Sequence, residues 1–233
     1  MTPAEPAKVV RVPAYYSEAS WRRWAGVYDR LIKLFFLPLG GEKRNRQGFV
    51  DFVQPQPGER ILDVCCGTGT LTSLMAPRVG ASGRITGVDL SAAMMAVARE
   101  KAAALPVTFE RASSDDLPFA GATFDKCFIS HGLHEMPPSV RRHSLREVYR
   151  ILKPGGSFFA LDYNLPDSVL PRFVIGSFVA IFEEAWVRQV MADGSLAAEI
   201  SQAGFIIRER RLPLRGMFQM IRADKPGRGE RDG

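Results

Sequence analysis

The feature that most constrains this chain is an alternation, between Arg60 and Asp162, of short apolar runs with longer segments of helical periodicity. Arg60–Cys65, Arg84–Asp89, Val107–Arg111, Phe124–Ser130 and Ser157–Asp162 are short, apolar and bounded by turn formers, which predicts strands. Between them, helices are predicted around Leu71–Pro77, over Ser91–Ala104 with Ser91 as N-cap, and over Ser139–Leu152. In the last of these Val140, Leu145, Val148, Tyr149 and Leu152 share one face. Lys153-Pro-Gly-Gly156 stops that helix, since proline cannot continue it and glycine accepts the left-handed turn. Strands that alternate with helices in this way demand a parallel sheet covered on both faces.

The flanks differ. Tyr15 to Phe52 reads as helical, with Trp21, Trp24, Val27, Leu31, Leu34 and Phe35 at helical spacing, and Pro55-Gln-Pro-Gly58 is a turn. After Leu165 come a long apolar helix at about Val169–Met191, a shorter one at Ser195–Ala203, and strands at Phe205–Leu212 and Gly216–Arg222. The tight link between those strands makes them a hairpin. The expectation is an α/β, Rossmann-like, seven-stranded and mostly parallel sheet closed by a C-terminal antiparallel hairpin, with helices on both faces. Residues 1–55 are expected to form a helical cap over the active site. Residues 56–223 are expected to form the main domain with a helical insertion at about 165–203, and residues 224–233 a polar tail.

At 233 residues the chain suits one sizeable core. It has no uninterrupted apolar run of about eighteen residues or more, so no spanning helix is expected. Met1 to Val12 lacks the apolar core of a signal peptide, and cytoplasmic residence is the default. Cys65, Cys66 and Cys127 are too few and too badly spaced for a disulfide framework or a zinc site, so buried thiols and no metal are expected. A net charge of +6 permits contact with nucleic acid or anionic lipid. The basic residues are scattered, however, and Arg141-Arg142 and most others read as solvated surface.

The first strand ends on Asp63 and runs into a turn with Gly67 and Gly69. Ligands of such sheets bind beyond the carboxyl ends of the strands, where the first loop enters its helix. Glycine lets backbone approach a ligand there and adopts positive φ without penalty. A second acid, Asp89, ends the next strand, where both hydroxyls of a ribose can be held. A dinucleotide site calls for G-x-G-x-x-G, but Thr72 occupies the third glycine position. The closing hairpin also argues against a nicotinamide cofactor.

Ile61-Leu-Asp-Val-Cys-Cys-Gly-Thr-Gly-Thr-Leu-Thr72 resembles motif I of class I S-adenosylmethionine-dependent methyltransferases. Gly87-Val-Asp-Leu-Ser-Ala-Ala-Met-Met95 resembles their second motif, and Leu117-Pro-Phe119, Thr123-Phe-Asp125 and Leu152-Lys-Pro-Gly-Gly156 follow in order. The resemblance spans about Tyr28 to Ala223 and is nearest to the ubiquinone/menaquinone biosynthesis group, which shares Tyr28-Asp29-Arg-Leu31 and Gly216-Met-Phe-Gln219. It implies S-adenosylmethionine as cofactor and S-adenosylhomocysteine as product. It also implies that Asp63, Cys65, Gly67 and Gly69 form the cofactor turn, with Ser130 at the far rim. By the same resemblance Asp89 holds the ribose, Leu90 packs on adenine, Met94 belongs to the cofactor site, and Tyr28 covers the cofactor. Two departures stand out. The acid that meets the adenine amino group in the family is replaced by Ser113, leaving Asp115 or the Ser114 backbone for the role. The first loop glycine of the commoner pattern is Cys65.

Ile129-Ser-His-Gly-Leu-His-Glu-Met136 ends the fourth strand where the methyl group would emerge. The quinone group commonly has Gly-Leu/Ile-Arg-Asn here, whereas this chain has Gly132-Leu-His-Glu135. His134, oriented by Glu135, is a candidate general base, and His131 a second; alternatively His134 only caps the next helix. Asp162 and Tyr163 face the same rim, with Asp162 open between structure and catalysis. Phe35, Phe36, Phe173, Phe178 and Phe182 are candidate walls of an apolar pocket. The helix predicted at 169–191 is greasy enough to admit a lipid tail, lie on a membrane interface or form a homodimer seam. The expected activity is methyl transfer to a small apolar or quinone-like acceptor. The alternatives are a quinone-modifying relative without net methyl transfer and an RNA methyltransferase. No nucleic-acid recognition module is present, and no specific nucleic acid is expected.

Overall fold

The computed structural model describes residue 10, residues 12–182, residue 187, residues 195–227 and residue 229. Helices α1 (Glu18–Ala25), α2 (Tyr28–Phe36) and α3 (Glu42–Val53) lead into strand β1 (Arg60–Val64). Helix α4 (Thr70–Val79), β2 (Arg84–Asp89), α5 (Ala92–Lys101), β3 (Val107–Arg111) and β4 (Phe124–Ser130) follow. Then come α6 (Pro138–Ile151), β5 (Leu152–Tyr163), α7 (Val169–Phe182), α8 (Ser195–Gln202), β6 (Ile206–Arg211) and β7 (Phe218–Asp224). The seven strands form one sheet in the order β3-β2-β1-β4-β5-β7-β6. Pairs from β3 through β5 are parallel, and β7 runs antiparallel to both β5 and β6. The fold class and the closing hairpin are as the sequence pattern predicts.

Each face of the sheet buries its own core. Helix α3 contributes Phe49, Val50, Phe52 and Val53, which with Met75 and Val79 of α4 cover Ile61, Ile85, Phe128 and Phe159. On the opposite face Leu145, Val148 and Ile151 of α6 and Leu196 and Ile200 of α8 cover Leu62, Cys127, Phe158, Ala160 and Ile221. Strand residues therefore alternate between two apolar layers, as a sheet buried on both sides requires. A third cluster lies at the carboxyl end, where Tyr163, Met217 and Phe218 meet Ile175, Val187, Phe35, Phe36 and Leu39. The order reverses between β1 and β4, so the loops leaving them diverge and open a crevice there.

Several local expectations need correction. The helical stretch from Tyr15 to Phe52 is three α-helices, and the break before α3 falls at Gly40 and Gly41, whose φ of 88° and 85° no α-helix accommodates. Lys153-Pro-Gly-Gly156 does end a helix, but it belongs to β5: Gly155 N–H donates to Lys225 O and Lys225 N–H to Gly156 O, both at 2.9 Å. Lys225 is accordingly buried rather than loose in a tail. Its Nζ donates to Tyr149 O and Leu152 O at 2.7 Å, placing a cation at the carbonyl end of α6. Arg141 is fully buried, not solvated, and grips Glu199 of α8 through two contacts of 2.6 Å. Its spacing from Leu145 and Val148 puts it on the inward face of α6, a phase that the neighbouring Arg142 lacks. Of the helix expected at 169–191, residues 183–186 and 188–191 lie outside the described residues.

Candidate active site

The turn after β1 is built around two left-handed glycines and one left-handed cysteine. Gly67, Gly69 and Cys65 have φ of 53°, 67° and 61°. A side chain at Gly69 would press within 2.9 Å of Ala98 and 3.0 Å of Phe109, whereas the Cβ side of Gly67 is open space. Backbone at Gly67 therefore lines a cradle rather than a packed contact. Cys65 carries the strained conformation that glycine carries elsewhere, and Gly132 makes room for it: a Cβ there would lie 2.7 Å from Cys65 Cβ.

Two acids face this turn. Asp89 Oδ2 accepts from Gly67 N–H and Oδ1 from Ser91 N–H, each at 2.8 Å. Asp63 is buried and accepts from the Thr72 hydroxyl at 2.5 Å. Burial pushes the Asp63 carboxyl up to about 8, with the nearby Asp89 charge adding to the rise and Thr72 opposing it. Asp89 is raised as well, chiefly by burial. Two desolvated acids beside an open glycine cradle form a site suited to a ligand that is hydroxylated and positively charged. That fits S-adenosylmethionine, which carries a ribose, an ammonium and a sulfonium.

The N-terminal helices are latched onto this turn. Thr68 Oγ1 donates to Asp29 Oδ1 at 2.7 Å, and Lys101 Nζ donates to Asp29 Oδ2 at 2.6 Å and Thr70 Oγ1 at 2.7 Å. Burial alone would raise the Asp29 carboxyl, but hydrogen bonds from Lys101 and Thr68 bring it below its usual range. Glu18 of α1 makes a second latch, accepting from Arg111 at 3.1 Å, from Ala93 N–H at 3.4 Å and from the Tyr16 hydroxyl at 3.3 Å. Tyr28 is enclosed enough that burial, eased by the Arg46 cation, pushes its phenol up to about 12. Tyr15 and Tyr16 are raised for the same first reason. Tyr15 is near enough to Asp115 and Glu135, and Tyr16 to Asp89, for those carboxylates to add to the rise.

Across the crevice stands a histidine–aspartate pair. His134 Nδ1 lies 2.7 Å from Asp162 Oδ1, and His134 N–H donates to Asp162 Oδ2 at 3.2 Å. Tyr163 N–H donates to Oδ1 at 2.7 Å, so every bond to this fully buried carboxylate comes from an N–H group. Burial works against the His134 imidazolium, but Asp162 and Glu135 outweigh it and its pKa is raised well above the ordinary value. Asp162 is held below the carboxylate range despite its burial, by the His134 charge and hydrogen bond. His131 behaves oppositely: burial brings it down to about 4. The rings of His131, Tyr163 and Phe218 pack together, with His134 4.5 Å from Tyr163 between ring centres. His131, His134 and Asp162 also place a ligand-type atom each within 4.8 Å of the others, though the oxygens of Asp162 are already committed to N–H donors.

A family model described as a methyltransferase domain matches residues 61–156. An uncharacterized methyltransferase of Synechocystis sp. is 34% identical over 197 residues, covering 84% of this chain and 90% of the relative. A protein of Thermosynechococcus vestitus named 2-phytyl-1,4-naphtoquinone methyltransferase is 33% identical over 221 residues, covering 88% of this chain and 96% of that one. The chain belongs to the class I S-adenosylmethionine-dependent methyltransferases. A SAM-dependent methyltransferase from Aquifex aeolicus shares the fold, with a TM-score of 0.66 at 15% identity over 90% of this chain and 98% of that one.

Set out on this methyltransferase, the residues singled out in the sequence gather on both sides of the crevice. Asp63, Cys65, Gly67, Gly69 and Asp89 surround the turn, and Leu90 and Met94 flank the start of α5, where the Ser91 hydroxyl accepts from Met94 N–H at 3.2 Å. Ser130 ends β4 opposite Leu161. Ser113 bonds to Asp115, while the Ser114 hydroxyl turns inward to Ser144 at 2.7 Å, which leaves the Asp115 side chain and the Ser114 backbone at the turn. Glu135 is not the group that orients His134. Asp162 is, because it closes on Nδ1 at 2.7 Å while Glu135 stands 3.5 Å from Nε2. Sequence reasoning missed Asp29, Glu18, Arg46, Tyr15 and Tyr16. Asp29 adjoins the Tyr28 already noticed; the others carry no motif, and Glu18 meets Arg111 and Ala93 only across the fold.

Proposed function

We propose that this methyltransferase methylates a quinol-like aromatic acceptor with an apolar tail, and that the His134–Asp162 pair takes up the acceptor's proton. The observation that carries the reading is a His–Asp pair set among the rings of Tyr163, His131 and Phe218, at the mouth of an apolar cluster that includes Phe35, Phe36 and Leu39. The relative from Thermosynechococcus vestitus, whose name specifies a phytylated naphthoquinone, supports the acceptor class.

Bound S-adenosylmethionine supplies a methyl group on a positively charged sulfur, which any well-placed nucleophile can displace. The protein's part is to bind, orient and deprotonate. In this reading Asp89 would hold the two ribose hydroxyls, Leu90 and Met94 would pack on adenine, and Asp115 or the Ser114 backbone would meet the adenine amino group. Asp63 lies where it would attract the cofactor's ammonium. Residues 12–55 act as a cap in this reading: Tyr15, Tyr16 and Tyr28 cover the crevice, and Asp29 and Glu18 fasten the cap to the cofactor turn and α5. Closing the site this way holds the reacting atoms together and keeps water out.

In its neutral form, reached above its raised pKa, His134 keeps Nδ1–H on Asp162 and offers the Nε2 lone pair to a proton from an acceptor hydroxyl. A hydroquinol becomes strongly nucleophilic at its ring carbon or oxygen when that proton leaves. The raised basicity of His134 narrows the gap to a phenolic hydroxyl, and proton transfer of this kind contributes about 10²–10⁴-fold in rate. Asp162 then stabilises the imidazolium. His131, neutral at physiological pH, contributes a ring to the wall without competing for the proton.

The test is turnover of a short-tailed naphthohydroquinol with labelled S-adenosylmethionine. Transfer of label to the quinol with matching S-adenosylhomocysteine, abolished in His134→Ala, is the expected result. Unlabelled product, or full turnover by His134→Ala, overturns it.

A further inference from the structure

The outward side of the N-terminal helices is apolar and cationic together. On α2 the exposed residues are Arg30, Leu31, Lys33 and Leu34, while Phe35 and Phe36 turn inward to the Tyr163–Phe218 cluster. The same short helix is thus apolar on both sides, one forming pocket wall and the other facing out. Leu34 and the adjoining Leu37 are 66% and 70% exposed, and Trp24 on α1 is 51% exposed. Leu31 and Leu34 lie one helical turn apart on one face. Val169 and Phe173, also one turn apart at the start of α7, are 84% and 71% exposed. One exposed leucine needs no explanation, but a recurring set of large apolar groups does.

The charges around them are segregated. Between residues 18 and 44 the acids are Glu18, Asp29 and Glu42, and all three turn into ion pairs with Arg111, Lys101 and Arg46. Arg22, Arg23, Arg30, Lys33, Lys43 and Arg44 are exposed, and none forms an ion pair among the described residues. The surface therefore presents leucines and a tryptophan in a field of cations with its anions withdrawn. A second copy docking here would set like cations against each other, since a two-fold interface pairs a patch with itself. An anionic bilayer meets both demands: its headgroups answer the cations and its acyl boundary takes the leucines.

We propose that the outward face of α1 and α2, with the Leu37 turn, docks on an anionic lipid bilayer. The pocket wall formed by Phe35 and Phe36 is then presented at the membrane surface. This rests on the reading of the acceptor as a molecule with a lipid tail.

The experiment is co-sedimentation with vesicles of phosphatidylcholine alone and with phosphatidylglycerol added. The protein should partition to the mixed vesicles and leave them as salt rises. Arg30→Glu/Lys33→Glu should weaken partitioning by at least about twenty-five-fold, at about fivefold per cation lost. Leu34→Glu/Leu37→Glu should release the protein at low salt too. Both double variants should bind S-adenosylmethionine and turn over a short-tailed, water-soluble quinol as the parent does, but lose activity on a long-tailed quinol in vesicles. Failure of the parent to bind mixed vesicles, or variants that bind like the parent, overturns the proposal. So does a dimer in sedimentation velocity that Leu34→Glu/Leu37→Glu dissolves. If vesicle binding behaves as described but no quinol is methylated, docking stands and the acceptor reading falls.

Discussion

Replacing Asp162 with Asn tests the reacting side of the site most directly. In the native protein its two oxygens receive three N–H groups, at 2.7, 2.7 and 3.2 Å. Asparagine keeps one oxygen and puts an NH2 group against the remaining donors, so at least one bond is lost where water cannot replace it. A hydrogen bond to a charged partner contributes about 1.5–3 kcal/mol, which sets the scale of the stability loss. The sign of the pH dependence follows from the two shifts. His134 is raised above 6.5, so its stabilisation is complete below that pH and is lost as pH climbs through the folded pKa. Asp162 is lowered below 3.8, so its share is present above that pH and is lost as pH falls through the folded value. The pair therefore stabilises most between 3.8 and 6.5, and thermal melting across pH should show a contribution in that window that Asp162→Asn lacks. Catalysis moves the other way. Without the carboxylate, burial dominates and lowers the His134 pKa, making a weaker base. The expected result is a kcat drop of about 10²-fold or more, an acidic limb of the pH–rate profile shifted to lower pH, and an unchanged affinity for S-adenosylmethionine. An acidic limb that stays in place, or full kcat, would refute the role of the pair.

Other outcomes follow from the remaining geometry. Asp89→Ala should bind S-adenosylmethionine about 10²-fold more weakly by calorimetry while staying folded, because two hydrogen bonds to a charged group are lost. Asp63, held at about 8 in the free protein, should shed its proton when a cationic cofactor arrives. Calorimetry at pH 7 in buffers of different ionisation heat should then show release of about one proton, and none in Asp63→Asn. Glu199→Gln strands the buried Arg141 and should cost about 3–5 kcal/mol in denaturant unfolding. Chelator treatment should leave turnover unchanged; activity lost to a chelator and restored by a divalent cation would show that His131, His134 and Asp162 ligate a metal instead.

The period of the sequence settled the fold class, because a strand buried on both faces must be continuously apolar and a helix must repeat its apolar residues every turn. The cofactor turn was equally legible, since left-handed backbone, a strand-ending acid and the next strand's acid all lie within a short local stretch of chain. Even Arg141 was readable in its helical phase, though not in its residue type. What only the tertiary structure decided are pairings across the chain. His134 has an acidic neighbour in sequence, Glu135, yet it is Asp162 of the adjoining strand that holds it, because parallel pairing of β4 with β5 brings their carboxyl ends side by side. Asp29 meets Thr68 and Lys101, and Glu18 meets Arg111, only once the N-terminal helices lie over the sheet. Local periodicity encodes elements and their buried faces; which charge answers which depends on contacts that form when distant segments pack.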